Sequence, residues 1–293
     1  MLRLSIVTVS YNMAPYIEQT ILSVISQGYD NLEYIIVDGG STDGTKEIVE
    51  KYRDRIACFI SEPDNGMYDA LNKGFSRATG DILAWINADD IYFPGAFRTV
   101  DKIFSTYSDI EWINGRSAYI SEDGTLRHVA SKNAIKSRKD ILNGWCREDL
   151  LGYLMQEGMF WRRSLMERTG PLNTEYRYAG DFELWMRFAA ESDLYHVNVP
   201  LSAFRKRLDN ISSLNSDSYA EEVQRIVSGK KKYPGLVWRI FSHRGSMALH
   251  ILRMLRIRSG NLICFAFDSG RIKRKRILGS ASPHSCSSIK TLF

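Results

Sequence analysis

The chain has 293 residues, of which 44% are hydrophobic and 25% charged, with 21 Gly and 7 Pro. This composition excludes a disordered chain, which has fewer apolar residues, and a collagen-like or low-complexity chain, which has far more Gly and Pro. The net charge of +5 is unevenly distributed: residues 1–224 hold 24 Lys and Arg against 33 Asp and Glu, whereas residues 225–293 hold 15 against one. We therefore expect an acidic folded region followed by a strongly basic segment.

Membrane-spanning and secreted proteins are also disfavoured classes. The longest late apolar run, Leu262 to Phe267, ends at Asp268 and is far shorter than the roughly 18 to 20 residues of a spanning helix. Leu4 to Val9 is too short for the apolar region of a signal peptide. The four cysteines include no Cys-x-x-Cys pair, so neither a zinc ribbon nor a redox dithiol is predicted. The sequence therefore predicts a cytoplasmic location.

The first 90 residues alternate between β-branched apolar runs and amphipathic stretches. Strands are predicted at Leu2 to Ser10, Glu33 to Val37, Ile56 to Ile60 and Ile82 to Ile86, and helices from Pro15 to Gly28, from Ser41 or Thr42 to Tyr52, and from Met67 to Ala78. Such alternation indicates right-handed βαβ crossovers. The predicted fold class is α/β, with a Rossmann-like, mostly parallel central sheet flanked by helices.

Beyond residue 110 the alternation is less regular, and we expect mixed strands that extend the sheet. The predicted elements are strands at Ile110 to Ile120, Gln156 to Trp161 and Leu194 to Val199, a turn at Asp123-Gly124, a helix from Phe182 to Ala190 and a polar loop from Leu208 to Ser218. From Pro234 onward, apolar residues interleave with arginines as in a basic amphipathic helix. The predicted domains are a catalytic domain, 1–220, with halves 1–115 and 116–220, and a basic, partly amphipathic helical segment, 221–293.

Polar residues follow each of the first four predicted strands, where ligands of open α/β sheets bind. They are Ser10, Tyr11 and Asn12, Asp38 with Gly39 to Gly44, Glu62 and Asp64, and Asn87, Asp89 and Asp90. Carboxylates gathered at one edge repel one another, and a divalent cation is the usual compensation. Each piece alone has a structural alternative, because Gly39 to Gly44 can form a capped tight turn and Asp89-Asp90 can cap a helix near Pro94. The glycines match neither a dinucleotide-binding nor a Walker phosphate-binding pattern.

Six ordered blocks, followed by two more downstream, carry a resemblance to a known family. They are Thr8 to Asn12, Val37 to Thr45, Asp64 to Gly66, Ala70 to Gly74, Ala78 to Asp81 and Asn87 to Asp90, and then Gln156 to Arg163 and Ala179 to Phe188. In this order they resemble family 2 glycosyltransferases of the GT-A fold, over roughly residues 2 to 215. The resemblance implies a nucleotide-sugar-binding half at 1–115 and an acceptor half at 116–220.

For the donor half, the resemblance implies that Ser10 and Tyr11 border the nucleotide base, that Asp38 hydrogen-bonds it and that Asp64 lies nearby. Asn87-Ala88-Asp89 matches the D-x-D motif, whose last carboxylate binds Mn²⁺ or Mg²⁺ on the donor diphosphate, although Asn87 departs from the first Asp. Asp90 is the alternative metal ligand. Lys73 or Arg205 assists electrostatically, and the alternative for Lys73 is a solvated helix face.

For the acceptor half, Asp181 matches the Asp of the family's Glu-Asp motif, which implies a general base and inversion of configuration, with Gly180 where the Glu would be. Its structural alternative is a helix cap. Glu157, Trp161 and Trp185 are predicted to bind the acceptor, and the alternative for the tryptophans is the core. Where related sequences often carry a metal-assisting His after the Arg205-type position, this chain has Arg207 and Leu208, and no His lies between His196 and His243.

The predicted function is a metal-dependent, inverting transfer of a sugar from a nucleotide-sugar donor to a glycan or lipid-linked acceptor, in the assembly of a surface polysaccharide. A nucleotidyltransferase and a catalytically silent binder of sugar nucleotides or glycans are the alternatives. No nucleic-acid partner is predicted. The basic C-terminal segment predicts peripheral binding to the anionic inner face of the cytoplasmic membrane, and the alternative is a set of helices packed on the catalytic domain.

Overall fold

The computed structural model describes residues 1–131, 135–147, 150–210, 214–228, 259–266 and 271–278. Its strands are β1 Leu4–Ser10, β2 Leu32–Asp38, β3 Cys58–Ser61, β4 Ile82–Asn87, β5 Ile91–Tyr92, β6 Trp112–Asn114, β7 Ala118–Ile120, β8 Leu126–Val129, β9 Met159–Arg162, β10 Leu194–Val197, β11 Ser202–Arg205, β12 Ser259–Ala266 and β13 Arg271–Leu278. Its α-helices are α1 Ile17–Ile25, α2 Thr45–Glu50, α3 Met67–Phe75, α4 Ala96–Thr106, α5 Arg138–Leu142, α6 Arg163–Thr169, α7 Gly180–Glu191 and α8 Ser216–Ile226. Short 3₁₀ turns lie at Arg53–Arg55 and Gln156–Gly158.

The described strands form two sheets. The larger has nine strands in the order β13-β12-β10-β6-β9-β4-β1-β2-β3, and the smaller has four in the order β5-β11-β7-β8. In the larger sheet β1 pairs in parallel with β2 and β4, and β2 pairs in parallel with β3, while β9 is antiparallel to both its neighbours. This confirms the predicted α/β class with a mostly parallel sheet.

The central strand β1 explains why the first predicted run is apolar throughout. All seven of its residues are buried. Val7 and Val9 belong to the core on one face of the sheet, and Leu4 and Ile6 to the core on the other, as the alternation of side chains along a strand requires. Gly74 lets α3 pack closely, because a Cβ there would lie 2.5 Å from Val7 Cγ1.

The predicted strand Ile110 to Ile120 is two strands in different sheets. β6 joins the larger sheet and β7 the smaller, with Gly115 in the bend between them. A Cβ on Gly115 would lie 2.9 Å from Leu201 Cγ, so the chain turns where a glycine permits close packing. The predicted loop 208–218 also ends early, because α8 begins at Ser216.

The predicted helical character of residues 221–293 is wrong for the two described C-terminal stretches. β12 pairs in parallel with β10, and β13 pairs antiparallel with β12 at the edge of the larger sheet. Ile263 in β12 is fully buried, because extending the sheet removes the apolar side chains of this strand from water. In β13, Arg274 forms an ion pair with Asp109 at 2.5 Å. The predicted amphipathic helix from Pro234 lies outside the described residues, and the predicted division at residue 220 stays a prediction.

Candidate active site

Three parallel strands end together and bring predicted donor residues to one edge. In the sheet register Ser10 lies opposite Asp38, and Asn87 lies opposite Val9. Ser10 is buried, and its Oγ has no hydrogen-bond partner within the described part of the chain. A buried hydroxyl without a partner is a natural contact for a ligand atom.

Asp38 serves the loop that follows β2. Its carboxylate is fully buried and accepts hydrogen bonds from Gly40 N at 3.1 Å, Ser41 N at 2.9 Å and Ser61 Oγ at 2.7 Å, and also from Ser41 Oγ. Three of these donors bond Oδ2 and one bonds Oδ1, and together they hold the fully buried carboxylate inside the loop. The expectation that Asp38 itself hydrogen-bonds a base therefore needs correction, since Asp38 shapes the loop beside the site.

An open surface lies next to that loop. Tyr11 is 62% exposed. A Cβ on Gly39 would lie 2.6 Å from Asp64 Oδ2 and 3.4 Å from the Tyr11 ring, so all three line one surface. Lys73 holds the same loop, with Nζ 2.9 Å from Glu62 and donating to the Pro63 carbonyl at 3.2 Å. The hydrogen bond with Glu62 raises the pKa of Lys73, which is thus a charged clamp on the loop that carries Asp64.

Asp90, one of the two predicted metal ligands, is enclosed. It is fully buried, and its Oδ1 accepts from the backbone N–H of Arg205 at 2.7 Å. Asn87 Nδ2 lies 3.5 Å from Oδ2. Burial, with Asp89 and Glu157 adding repulsion, raises the pKa of Asp90 well above its usual range. Asp90 therefore links β4 to β11 instead of facing the open site.

Asp89 faces a guanidinium. Arg207 Nη2 lies 3.3 Å from Asp89 Oδ2, and both side chains are buried. Asn210 Nδ2 lies 3.5 Å from the same oxygen. Burial raises the pKa of Asp89, and Arg207 acts in the opposite direction. In the sequence, Arg207 stands out only as a departure from the family pattern and has no predicted role. The basic run Arg205-Lys206-Arg207 at the end of β11 was the signal that could have pointed to a partner for the carboxylates.

These contacts do not fit the predicted Mn²⁺ or Mg²⁺ site at Asp89 and Asp90. Within the described residues no group of three His, Cys, Asp or Glu side chains is arranged to hold a metal ion. Asp90 accepts from the Arg205 backbone, and Asp89 already has a cationic partner, while the buried Asn87 Oδ1 lacks a hydrogen-bond partner among the described residues. A hard divalent cation prefers several free oxygen ligands, whereas both carboxylates already have protein partners.

Asp181 lies in the first turn of α7 and is held by a tyrosine. Its backbone N–H donates to Tyr68 Oη at 3.3 Å, and Tyr68 Oη lies 3.5 Å from Asp181 Oδ1. Tyr68 also donates to the Tyr178 carbonyl at 2.8 Å. Burial raises the pKa of Asp181 to about 6. A Cβ on Gly180 would lie 2.7 Å from the Tyr68 ring, so this ring fills the space that a glutamate at 180 would need.

Glu157 lies between the donor edge and Asp181. It is buried in the 3₁₀ turn before β9. Burial raises its pKa to about 7, and the charges of Asp181 and Asp89 both add to that rise. A carboxyl group influenced by both residues connects the two halves of the site electrostatically.

A small apolar cavity lies beside Asp181. Its volume is about 10 Å³, room for about one water molecule, and it is lined by Ile141, Cys146, Leu154, Asp181, Phe182, Trp185 and Tyr219. Trp185 borders this cavity but is only 2% exposed, and its ring stacks on Trp85 and Trp112, so its expected acceptor contact needs correction. Trp161 is fully buried among aromatic side chains. The expected acceptor contact of Trp161 therefore needs correction, because a ring enclosed on all sides cannot stack on a sugar.

Solved structures establish the class of fold. S. aureus TarS 1-349 in complex with UDP-GlcNAc matches with a TM-score of 0.60 at 18% identity, over 77% of this chain and 65% of that chain. Mannosyltransferase PcManGT from Pyrobaculum calidifontis, in complex with GDP-Man and Mn²⁺, matches with a TM-score of 0.57 at 18% identity, over 86% and 78%. The chain has the GT-A glycosyltransferase fold.

The family follows from the sequence match. The family described as Glycosyl transferase family 2 matches residues 5–166, more than half of the chain. The chain belongs to this family, which confirms the resemblance. An uncharacterized glycosyltransferase of Nostoc sp. is 26% identical over 182 residues, 59% of this chain and 54% of that protein, so the chain spans about half the length of this relative. The putative teichuronic acid biosynthesis glycosyltransferase TuaG of Bacillus subtilis is 42% identical over 89 residues, 29% of this chain and 35% of that protein.

Proposed function

We propose that the chain transfers a sugar from a nucleotide-sugar donor to a hydroxyl group of a glycan or lipid-linked acceptor, with inversion. The observation that carries this proposal is Asp181, a carboxyl group with a pKa of about 6 that borders a small apolar cavity. Catalytic bases work best with a pKa near the operating pH. Family membership and the sugar nucleotides named for TarS and PcManGT support the donor class.

In the proposed step, the acceptor hydroxyl oxygen forms a bond to the anomeric carbon as Asp181 takes the hydroxyl proton. The bond from that carbon to the diphosphate oxygen breaks, and its electron pair leaves with the nucleoside diphosphate. Attack from the face opposite the leaving group inverts the anomeric centre. Ser10, Tyr11 and Asp64 line the proposed base and ribose surface, and Tyr68 holds Asp181 in position.

The TuaG relative favours a surface-polysaccharide acceptor. The side chains around the small cavity beside Asp181 are mostly apolar, so an acceptor that opened this cavity would meet an apolar wall. Glu157 adjoins this side of the site and is its proposed acceptor contact. The name of TuaG refers to teichuronic acid, a polysaccharide assignment that belongs to that protein and supports the same class here.

The donor class is tested by incubating the full chain with a panel of nucleotide sugars and measuring release of nucleoside diphosphate, with and without candidate glycan and lipid-linked acceptors. We expect one donor to give acceptor-dependent release. A nucleotidyltransferase would release inorganic diphosphate from a nucleoside triphosphate and sugar phosphate, and a silent binder would release nothing while still binding a nucleotide. Either outcome would contradict the proposed transfer.

We also propose that β13 contributes to binding an anionic membrane surface on the cytoplasmic side. Within the described residues, no helix is long and apolar enough to cross a bilayer. Lys273, Arg274 and Arg276 are exposed on this edge strand. Each cation near an anionic leaflet contributes about 1 kcal/mol of binding free energy.

The double variant Lys273→Gln, Arg276→Gln should therefore bind vesicles containing phosphatidylglycerol roughly 10- to 30-fold more weakly than the unchanged protein. Co-sedimentation measures this, with vesicles of phosphatidylcholine alone as the uncharged surface. Lys51→Gln, Lys102→Gln removes two exposed cations elsewhere and should leave binding unchanged. Equal losses in both double variants would mean that overall charge, and not β13, governs the binding.

A further inference from the structure

We propose that Arg207 binds the diphosphate of the donor in place of a divalent cation, so that donor binding does not require a metal. This inference rests on the proposed function for the class of ligand. The carboxylates of Asp89 and Asp90, where the sequence predicts a metal, already have protein partners. The strongest support is the position, burial and bonding of Arg207.

Arg207 lies where two donor-side loops meet. Its side chain is 4% exposed, and it contacts Asp89 after β4. On its other side the guanidinium packs over the Tyr16 ring at 4.6 Å, and Nη1 lies 3.5 Å from Met13 Sδ, in the segment after β1. The guanidinium therefore sits between the end of β1 and the end of β4, the edge that ends in the proposed nucleotide-binding residues.

The guanidinium has bonding capacity left. Its Nε is buried and makes no hydrogen bond of proper geometry among the described residues, although Asp209 Oδ1 lies 3.3 Å away as an ionic contact. Its Nη1 meets a thioether sulfur, which is a weak acceptor. Asp209 is largely exposed to water. A buried guanidinium with weak or poorly aligned partners suits a phosphate group, which accepts two parallel N–H bonds from arginine.

Asp89 already has a buried cationic partner without a metal. Arg207 forms an ion pair with Asp89, and the backbone N–H of Arg205 donates to Asp90. The guanidinium of Arg205 is occupied by neutral acceptors, which are the carbonyls of Asp89, Ser121 and Glu122 and the side-chain oxygen of Gln19. Of the two arginines, Arg207 is therefore the one that can turn to an incoming anion.

This arrangement also removes the reason for predicting a metal. Carboxylates at a shared edge need a compensating positive charge, and Arg207 supplies it for Asp89. A guanidinium has no free lone pair with which to bind a metal ion. When the donor binds, the bonds of Arg207 shift toward the diphosphate oxygens, where the guanidinium offsets the negative charge that grows as the bond to the sugar breaks.

The test measures binding of UDP, GDP and inorganic diphosphate to the full chain by calorimetry, in EDTA and in Mn²⁺. We expect the affinity of the bound nucleotide to agree within about threefold in the two buffers. Arg207→Met should weaken binding roughly 10- to 100-fold, as loss of charge-assisted hydrogen bonds does. Arg207→Lys should recover part of the affinity, which separates loss of charge from loss of folding.

Lys206→Met is the matched control, because the Lys206 ammonium lies over the Tyr119 ring at 4.3 Å instead of contacting Asp89. Its nucleotide affinity should equal that of the unchanged protein. Electron paramagnetic resonance of Mn²⁺ gives a second measurement. The unchanged protein should not reduce the free Mn²⁺ signal beyond the effect of UDP alone, whereas Arg207→His, which introduces a metal-binding imidazole, should reduce it.

Binding that disappears in EDTA and returns with Mn²⁺ would overturn the inference while leaving the proposed function intact. Unchanged nucleotide affinity in folded Arg207→Met would overturn it as well. Absence of binding by every nucleotide in both buffers would instead contradict the proposed function on which the inference rests.

Discussion

Replacing Asp181 with Asn should lower kcat by about 10²- to 10⁴-fold while changing the affinity for the donor nucleotide no more than a few-fold. The amide keeps the shape of the side chain and can still bond Tyr68, but it cannot take a proton from the acceptor hydroxyl. Turnover with the best donor and acceptor, together with nucleotide binding by calorimetry, separates the two effects. The matched control is Glu191→Gln, which neutralises an exposed acid at the end of the same helix and should leave kcat unchanged.

The pH dependence of kcat should follow the same group. Burial raises the pKa of Asp181 to about 6, so the carboxyl group is protonated and inactive as a base below that pH. The facing titratable groups are Tyr68, Glu157, Tyr219 and Glu222, and the charge of Glu222 adds to the rise. We expect kcat to increase between about pH 5 and pH 7. A flat profile, or near-normal turnover by Asp181→Asn, would show that another group is the base.

Replacing Trp161 with Ala should lower the free energy of unfolding by about 3 to 5 kcal/mol, the usual cost of deleting a buried aromatic side chain. The ring is fully buried, and its centroid lies 5.6 Å from Phe75, 5.5 Å from Trp85 and 5.7 Å from Trp185. Denaturant unfolding measures the loss. Trp161→Phe keeps much of the apolar volume and should lose considerably less stability.

Acceptor kinetics distinguish this core role from the acceptor contact expected from sequence. At a temperature where both variants remain folded, Trp161→Phe should have the acceptor KM of the unchanged protein. A large rise in that KM together with unchanged stability would mean that Trp161 contacts the acceptor, as the sequence had predicted. Exposed aromatics such as Tyr11 are the ones that remain able to stack on a ligand.

Much of the donor edge could be predicted from the sequence. Four β-branched runs separated by helical stretches identify a parallel sheet, and the polar residues after each run must then meet at its carboxyl edge. The structure places Ser10 opposite Asp38 and ends β4 beside them at Asn87. The approximate position of Asp181 was equally accessible, because it begins a well-marked helix. These features depend on local patterns of a few residues.

The function of individual polar groups depended on contacts between residues far apart in the chain. No local pattern shows that Arg207 faces Asp89 across more than a hundred residues, or that Ser41 and Ser61 donate to the carboxylate of Asp38. The two C-terminal strands were missed for the same reason, because whether an apolar run becomes a helix or an added strand depends on the sheet edge available to it.

The charge distribution of the chain shows the same division. Sequence alone determined that the acids lie before residue 225 and the excess bases after it, because composition is a property of the chain itself. Only the tertiary structure decided how the acids near Asp89 are neutralised, because electrostatic energy depends on distance and burial. The guanidinium of Arg207 and the backbone N–H of Arg205 reach these acids, in the place where the sequence had suggested a metal.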